Sequence, residues 1–112
     1  MGVTFESGRL AKLCNKQKKR AKKFGHQRAK EIKIALDDLQ GAPSLAEIDE
    51  LPQWRLHALS GDQAGGYSID IDNQYRIWFR ISGIERIRDG TGYVDFSQVT
   101  SIEIYFVGDP HD

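Results

Sequence analysis

The stretch LPQWRLHALSGDQAGGYSIDIDNQYRIWF, residues 51–79, decides the fold. Its apolar residues recur at every second position. Trp54, Leu56 and Ala58 alternate with Arg55, His57 and Leu59. Tyr67, Ile69 and Ile71 alternate with Ser68, Asp70 and Asp72, and Tyr75, Ile77, Phe79 and Ile81 with Arg76, Trp78 and Arg80. Successive side chains of a strand point to opposite faces, so this pattern predicts three strands, each with one packed and one open face. SGDQAGG and DN carry the residues that tight turns need.

Outward from this stretch the period changes. Toward the N-terminus, VTFES (Val3–Ser7) reads as a short first strand, and Gly8–Lys23 as a lysine-rich helix with Leu10 and Leu13 as a narrow apolar stripe. Gly25 caps it. A second helix is predicted from about His26 to Gln40, its stripe formed by Ala29, Ile32, Leu36 and Leu39. Gly41 and Pro43 end it, and Ser44 with Glu47 has the spacing of a capping box for one short helical turn. Toward the C-terminus, residues 82–99 are a glycine-punctuated connection, followed by a last strand. In that strand Ile102, Ile104 and Phe106 alternate with Glu103, Tyr105 and Val107. The expected architecture is α+β: one domain over residues 1–112, with an N-terminal helical hairpin packed on one face of a mostly antiparallel sheet of about four to five strands.

Composition narrows the function classes. The chain has 39% hydrophobic and 29% charged residues, which suits a globular domain that folds around one core. A single cysteine, Cys14, excludes an intrachain disulfide, and the spacings of zinc sites are absent, so a reducing cytoplasm fits best. No run approaches the ~18 apolar residues of a membrane span, and no apolar signal segment opens the chain. The net charge of zero conceals a split. Residues 1–33 hold eleven lysines and arginines against two acids, while the remainder holds five arginines against fourteen acids. A basic end of this kind suits a polyanion or an acidic partner, or is a solvated face that balances the acidic half.

Candidate chemistry lies on the open sheet face. Parity puts Arg76, Trp78 and Arg80 together on one strand, and Arg55 with His57 on another. Arginine, histidine and aromatic groups on an open face can bind phosphates and stack bases, although a merely polar face would share the same pattern. The ending VGDPHD adds Asp109 and His111 just past the last strand. Phosphate-binding glycine loops, dinucleotide fingerprints, HExxH and GxSxG are absent. Cys14 has no catalytic partner in the sequence and reads as a small helical residue.

The central stretch resembles HigB-type toxins of the RelE/ParE superfamily. The likeness is carried by Arg55-Leu56-His57-x-Leu59-x-Gly61-Asp62, then Gly65-x-Tyr67-Ser68-Ile69, then Tyr75-Arg76-Ile77-x-Phe79. The order of elements agrees, and the end of the last strand has the outline of the family's Asp-Tyr-His terminus. The resemblance implies a toxin of a type II toxin–antitoxin system that cleaves mRNA on the ribosome. In that reaction a ribose 2′-hydroxyl attacks the adjacent phosphate, with no metal or other cofactor. It implies acid and base roles for His57 and His111, a phosphate clamp at Arg76 and a positioning or proton-accepting role for Asp109. Arg55, Trp78 and Arg80 would contact the message, and Lys16, Lys18, Lys19, Arg20, Lys22 and Lys23 would grip ribosomal RNA. The implied partner is a helix-turn-helix antitoxin of the HigA kind. Ser60, Gln63 and Pro110 stand where the family commonly has lysine, arginine and tyrosine. A gyrase-inhibiting toxin like the ParE branch, or a member that only binds its antitoxin, are the alternatives this leaves open.

Overall fold

A computed structural model describes residues 1–83 and 93–111. The middle of the connection expected over 82–99, residues 84–92, lies outside the described residues. The elements in chain order are β1 (Gly2–Phe5), α1 (Gly8–Asn15), α2 (Gln17–Phe24), α3 (His26–Gly41), α4 (Leu45–Asp49), β2 (His57–Ala58), β3 (Gly66–Asp70), β4 (Arg76–Ile81) and β5 (Ser101–Gly108). The five strands form one sheet in the order β1-β5-β4-β3-β2. The last three interfaces are antiparallel, and β1 runs parallel to β5. The α+β architecture read from the sequence is the architecture observed.

The core lies on one face of the sheet. Ile69, Ile77, Phe79, Ile102 and Ile104 are fully buried there, against Ile32, Ala35, Leu36 and Leu39 of α3, and the remaining stripe residue, Ala29, is buried as well. Burying each of these larger aliphatic or aromatic side chains contributes about 1.5–3 kcal/mol. Trp54 closes one end of this core and donates from its indole Nε1 to Asp38 Oδ2 at 2.8 Å. The Ser44–Glu47 capping box forms as the spacing predicts.

Four local readings are corrected. The single helix expected over Gly8–Lys23 is two, broken at Lys16, whose backbone is extended. Lys12, Lys16 and Arg20 succeed one another at intervals of four, and their mutual repulsion weakens a continuous helix at this point. Arg20 then folds back and donates to the Cys14 carbonyl, which the break has left without a helical partner. The strand expected over 54–59 shrinks to His57–Ala58, because Pro52–Trp54 winds into a 3-10 turn. Arg55 follows in the left-handed region at φ 48°, so it does not share a strand with His57. The one parallel interface, β1 with β5, agrees with the mostly antiparallel sheet expected.

The fourth correction reshapes the open face. Trp78 pairs with Phe106 but Phe79 pairs with Ile104, so a β-bulge inserts one residue into β5. Val107 therefore enters the core, and Phe106 emerges beside Trp78 with ring centroids 4.9 Å apart. This reverses the order expected for Phe106 and Val107. Tyr105 spreads across the same face, beneath the Arg80 guanidinium (3.8 Å to the ring centroid) and with its hydroxyl donating to Gln63 Oε1 at 3.2 Å. Burial raises the Tyr105 phenol above its ordinary pKa, with Arg80 opposing and Glu6 assisting, which keeps that donor proton in place. Gly66 leaves the room this ring requires: a Cβ there would collide with the Tyr105 hydroxyl. Gly66→Ala is expected to lower unfolding free energy by about 1–3 kcal/mol in a denaturant titration, and Gly66→Ala combined with Tyr105→Phe to recover part of that loss.

Candidate nucleic-acid cleft on the open sheet face

The face away from the helices carries a shallow concavity of ≈ 420 Å³. Its floor is Ser68, Asp70, Arg76 and Trp78, from β3 and β4. Arg55, His57 and Leu59 wall one side, and Pro110 and His111 the other. Antiparallel register explains the floor: Ser68 lies between His57 and Trp78, and Asp70 lies opposite Arg76. Strand β5 runs beside β4, and the terminal turn that follows it closes the far wall. Two segments more than fifty residues apart in sequence thus supply one histidine each.

His57 is exposed, and its Nδ1 lies 2.8 Å from the Arg55 carbonyl. A carbonyl only accepts, so Nδ1 carries the proton and the neutral ring keeps Nε2 as an acceptor. That is the tautomer a general base requires. Asp109 is half-buried and does not line the concavity. Its Oδ1 accepts the backbone N–H of His111 at 2.9 Å, which shapes the terminal turn and positions His111.

Arg76, the expected phosphate clamp, lines the cleft with its donors engaged within the fold. Its Nε pairs with Asp70 Oδ1 at 3.1 Å, and its Nη1 donates to the carbonyls of Asp72 (2.6 Å) and Tyr75 (3.0 Å). The guanidinium therefore tethers the 72–75 turn while adding positive charge to the floor. The turn is also tied to α3. Arg28 lies over the Tyr75 ring at 3.8 Å and donates to Asp72 Oδ2 at 2.8 Å. Burial tends to raise the Asp72 carboxyl, but the bonds from Arg28, Tyr75 and Gln74 prevail and leave its pKa lowered.

The remaining expected residues divide. Trp78 is part of the cleft, with Phe106 behind it. Arg80 lies beyond it, over Tyr105 and near Glu103 and Glu6. Lys16, Lys18, Lys19, Lys22 and Lys23 are exposed on and beside α2, and none of them lines the cleft. Lys19, Lys22 and Lys23 instead form a separate basic groove with Arg9 over Leu13. Arg20 is the exception among them: only 6% exposed and committed to Cys14, it is a structural residue and presents no RNA-binding surface.

Sequence reading missed Ser68 and Asp70. Ser68 is buried with its Oγ unpartnered, and Asp70 Oδ1 accepts no hydrogen bond although Arg76 Nε is close. The alternation that placed Arg76 on the open face places both residues there too. The turn register that sets Asp70 against Arg76 was the available signal.

No protein-family model matches the chain, and no curated protein matches it. Solved structures do. A YoeB/ParE toxin from Agrobacterium tumefaciens superposes with a TM-score of 0.52 at 15% identity, over 97% of this chain and 98% of that one. A mutant of YafQ from E. coli gives 0.55 at 13% identity, over 97% and 92%. The fold is that of RelE/ParE-like toxins. At these identities the likeness is one of fold, and it extends over nearly the whole chain. No helix among the described residues is long and apolar enough to cross a membrane.

Cys14 supplies a test of the basic hairpin. It is fully buried, and burial pushes its thiol up to about 11, with the nearby Arg20 charge pulling the other way. At pH 8 the folded protein should resist iodoacetamide and react only on unfolding. Arg20→Ala should open the α1–α2 junction and speed the reaction tenfold or more, read by intact-mass spectrometry.

Proposed function

We propose that the protein is the toxin of a toxin–antitoxin pair and cleaves mRNA on the ribosome. The observation that carries this reading is the cleft, with His57 on one wall, fixed as a base, and His111 on the other. The fold shared with a YoeB/ParE toxin and the motif resemblance over residues 51–79 support it. In the proposed reaction His57 Nε2 takes the proton of a ribose 2′-hydroxyl. The 2′-oxygen attacks the adjacent phosphorus, and the P–O5′ bond breaks. His111, as imidazolium, protonates the leaving 5′-oxygen. The products are a 2′,3′-cyclic phosphate and a 5′-hydroxyl, and no metal is needed. Arg76 supplies fixed positive charge beneath the phosphate. Trp78, backed by Phe106, offers an aromatic surface for a base. Lys16, Lys18, Lys19, Lys22 and Lys23 provide a salt-sensitive grip on ribosomal RNA. A helix-turn-helix antitoxin of the HigA kind would restrain the toxin.

A second reading has its own support. Ser60 stands where the family commonly has lysine, Pro110 where it has the terminal aromatic, and the Arg76 donors are engaged within the fold. These features favour a member that binds its antitoxin without cutting RNA. Primer extension on cellular messages after induction decides between the two. Growth arrest with discrete cuts at codon positions is expected, and intact messages with unchanged growth would select the second reading. His57→Gln and His111→Gln should each lower cleavage by about 10²–10⁴-fold while leaving thermal unfolding unchanged. Full cleavage by both variants would remove the assigned acid and base.

A further inference from the structure

We propose that Arg55 is the mobile phosphate ligand of this cleft, and that Asp70 is an internal counterion which holds Arg55 until a substrate phosphate displaces it. The inference rests on the RNA-cleft reading above and names the group that meets the phosphate.

The two arginines of the cleft are held very differently. Arg76 is pinned. Its Nε faces Asp70, its Nη1 donates to two turn carbonyls, and its Nη2 lies 3.5 Å from the Asn73 carbonyl. Redirecting this fork toward a ligand would leave those carbonyls without their donor. The Arg55 side chain is 77% exposed, and its Nε stands 3.6 Å from Asp70 Oδ2. That distance is beyond a good hydrogen bond, and water screens the pair, so it exchanges readily. Arginine's planar fork matches a phosphodiester in charge and geometry, which an incoming RNA can offer in place of the carboxylate.

The backbone of Arg55 gives the second observation. It is the one non-glycine residue with positive φ among the described residues, at φ 48° and ψ 50°. Left-handed backbone is strained for a side chain of this size, and such strain persists only where the surroundings enforce it. Here the enforced geometry does two things. It turns the Arg55 carbonyl onto His57 Nδ1, which fixes the tautomer of the base, and it sets the Arg55 side chain on the wall of the same concavity. One strained residue thus orients the base through its main chain and presents a cation through its side chain.

Asp70 completes the arrangement. Its side chain is only 15% exposed, lies in the floor and faces both arginines. A carboxylate there competes with phosphate for Arg55, and when Arg55 turns to the ligand Arg76 remains to balance the carboxylate.

The test uses a single-stranded RNA of fully 2′-O-methylated nucleotides, which lacks the attacking hydroxyl and cannot be cut. Its affinity is measured against salt concentration for wild type, Arg55→Gly, Asp70→Asn and Arg76→Gln, with thermal unfolding of each. Glycine accepts φ 48° without strain, so Arg55→Gly removes the cation and keeps the backbone and the His57 tautomer. It should bind more weakly and flatten the slope of log affinity against log salt by about 0.7, the share of one phosphate on a single strand. Asp70→Asn should bind on the order of fivefold tighter, because the competing charge is gone. Arg76→Gln should lose thermal stability, which Arg55→Gly should not. RNA binding by wild type that neither Arg55→Gly nor Asp70→Asn alters would overturn this proposal and leave the RNA reading standing. Absence of binding by wild type and Asp70→Asn alike would also overturn this proposal, while the ribosome-dependent cleavage reading stands or falls separately on the primer-extension experiment.

Discussion

Strand β4 is paired on both sides, by β3 and by β5, so each of its residues is committed to one face of the sheet. Ile77, Phe79 and Ile81 must enter the core, and Arg76, Trp78 and Arg80 must leave it. A slip of one residue would bury two arginines and expose Phe79, at a cost that no local rearrangement could offset. This commitment fixes the neighbours in turn. Asp70 is set against Arg76, Ser68 against Trp78 and Gly66 against Arg80. The floor of the cleft is therefore a by-product of building the core on the opposite face.

The same strand makes its other neighbour irregular. Pairing holds from Arg76 to Trp78 in one register and from Phe79 onward in another, and β5 absorbs the difference with a bulge. The bulge sends Val107 inward and Phe106 to the open side, where it builds an aromatic layer with Tyr105 and Trp78. Gly66 yields space to Tyr105, and Gln63 accepts its hydroxyl proton. Core packing, strand register and the aromatic lining of the cleft are thus one structural decision.

Positive charge divides into separate functions. The exposed lysines of α2 form a broad basic surface suited to long-range attraction of a polyanion. Arg20 and Arg28 belong to the fold, one closing the α1–α2 junction and the other tying the 72–75 turn to α3. Arg76 holds that turn from below, and Arg55 stands exposed on the cleft wall beside Asp70. Counting basic residues along the chain does not separate these roles, because a guanidinium's role depends on which carbonyls and carboxylates lie within its reach.

The α+β class, the α3 stripe, the capping box at Ser44, the three central strands and their open face were legible in the amino-acid order, because they follow from local periodicity and local hydrogen bonding. That order also brought His57, Arg76 and Trp78 to attention, through parity and through the resemblance over residues 51–79. Tertiary structure alone decided the rest. The break at Lys16 and the left-handed Arg55 turn on nearby side-chain and carbonyl contacts that periodicity does not report, while the bulge that exchanges Phe106 and Val107 and the parallel seating of β1 answer to partners distant in sequence. The cleft is of the same kind. His111 meets the wall opposite His57 only because β5 returns beside β4, and Asp70 becomes a counterion only because register sets it between two arginines. Alternation states which face a side chain occupies; which groups it then meets depends on the neighbouring strands.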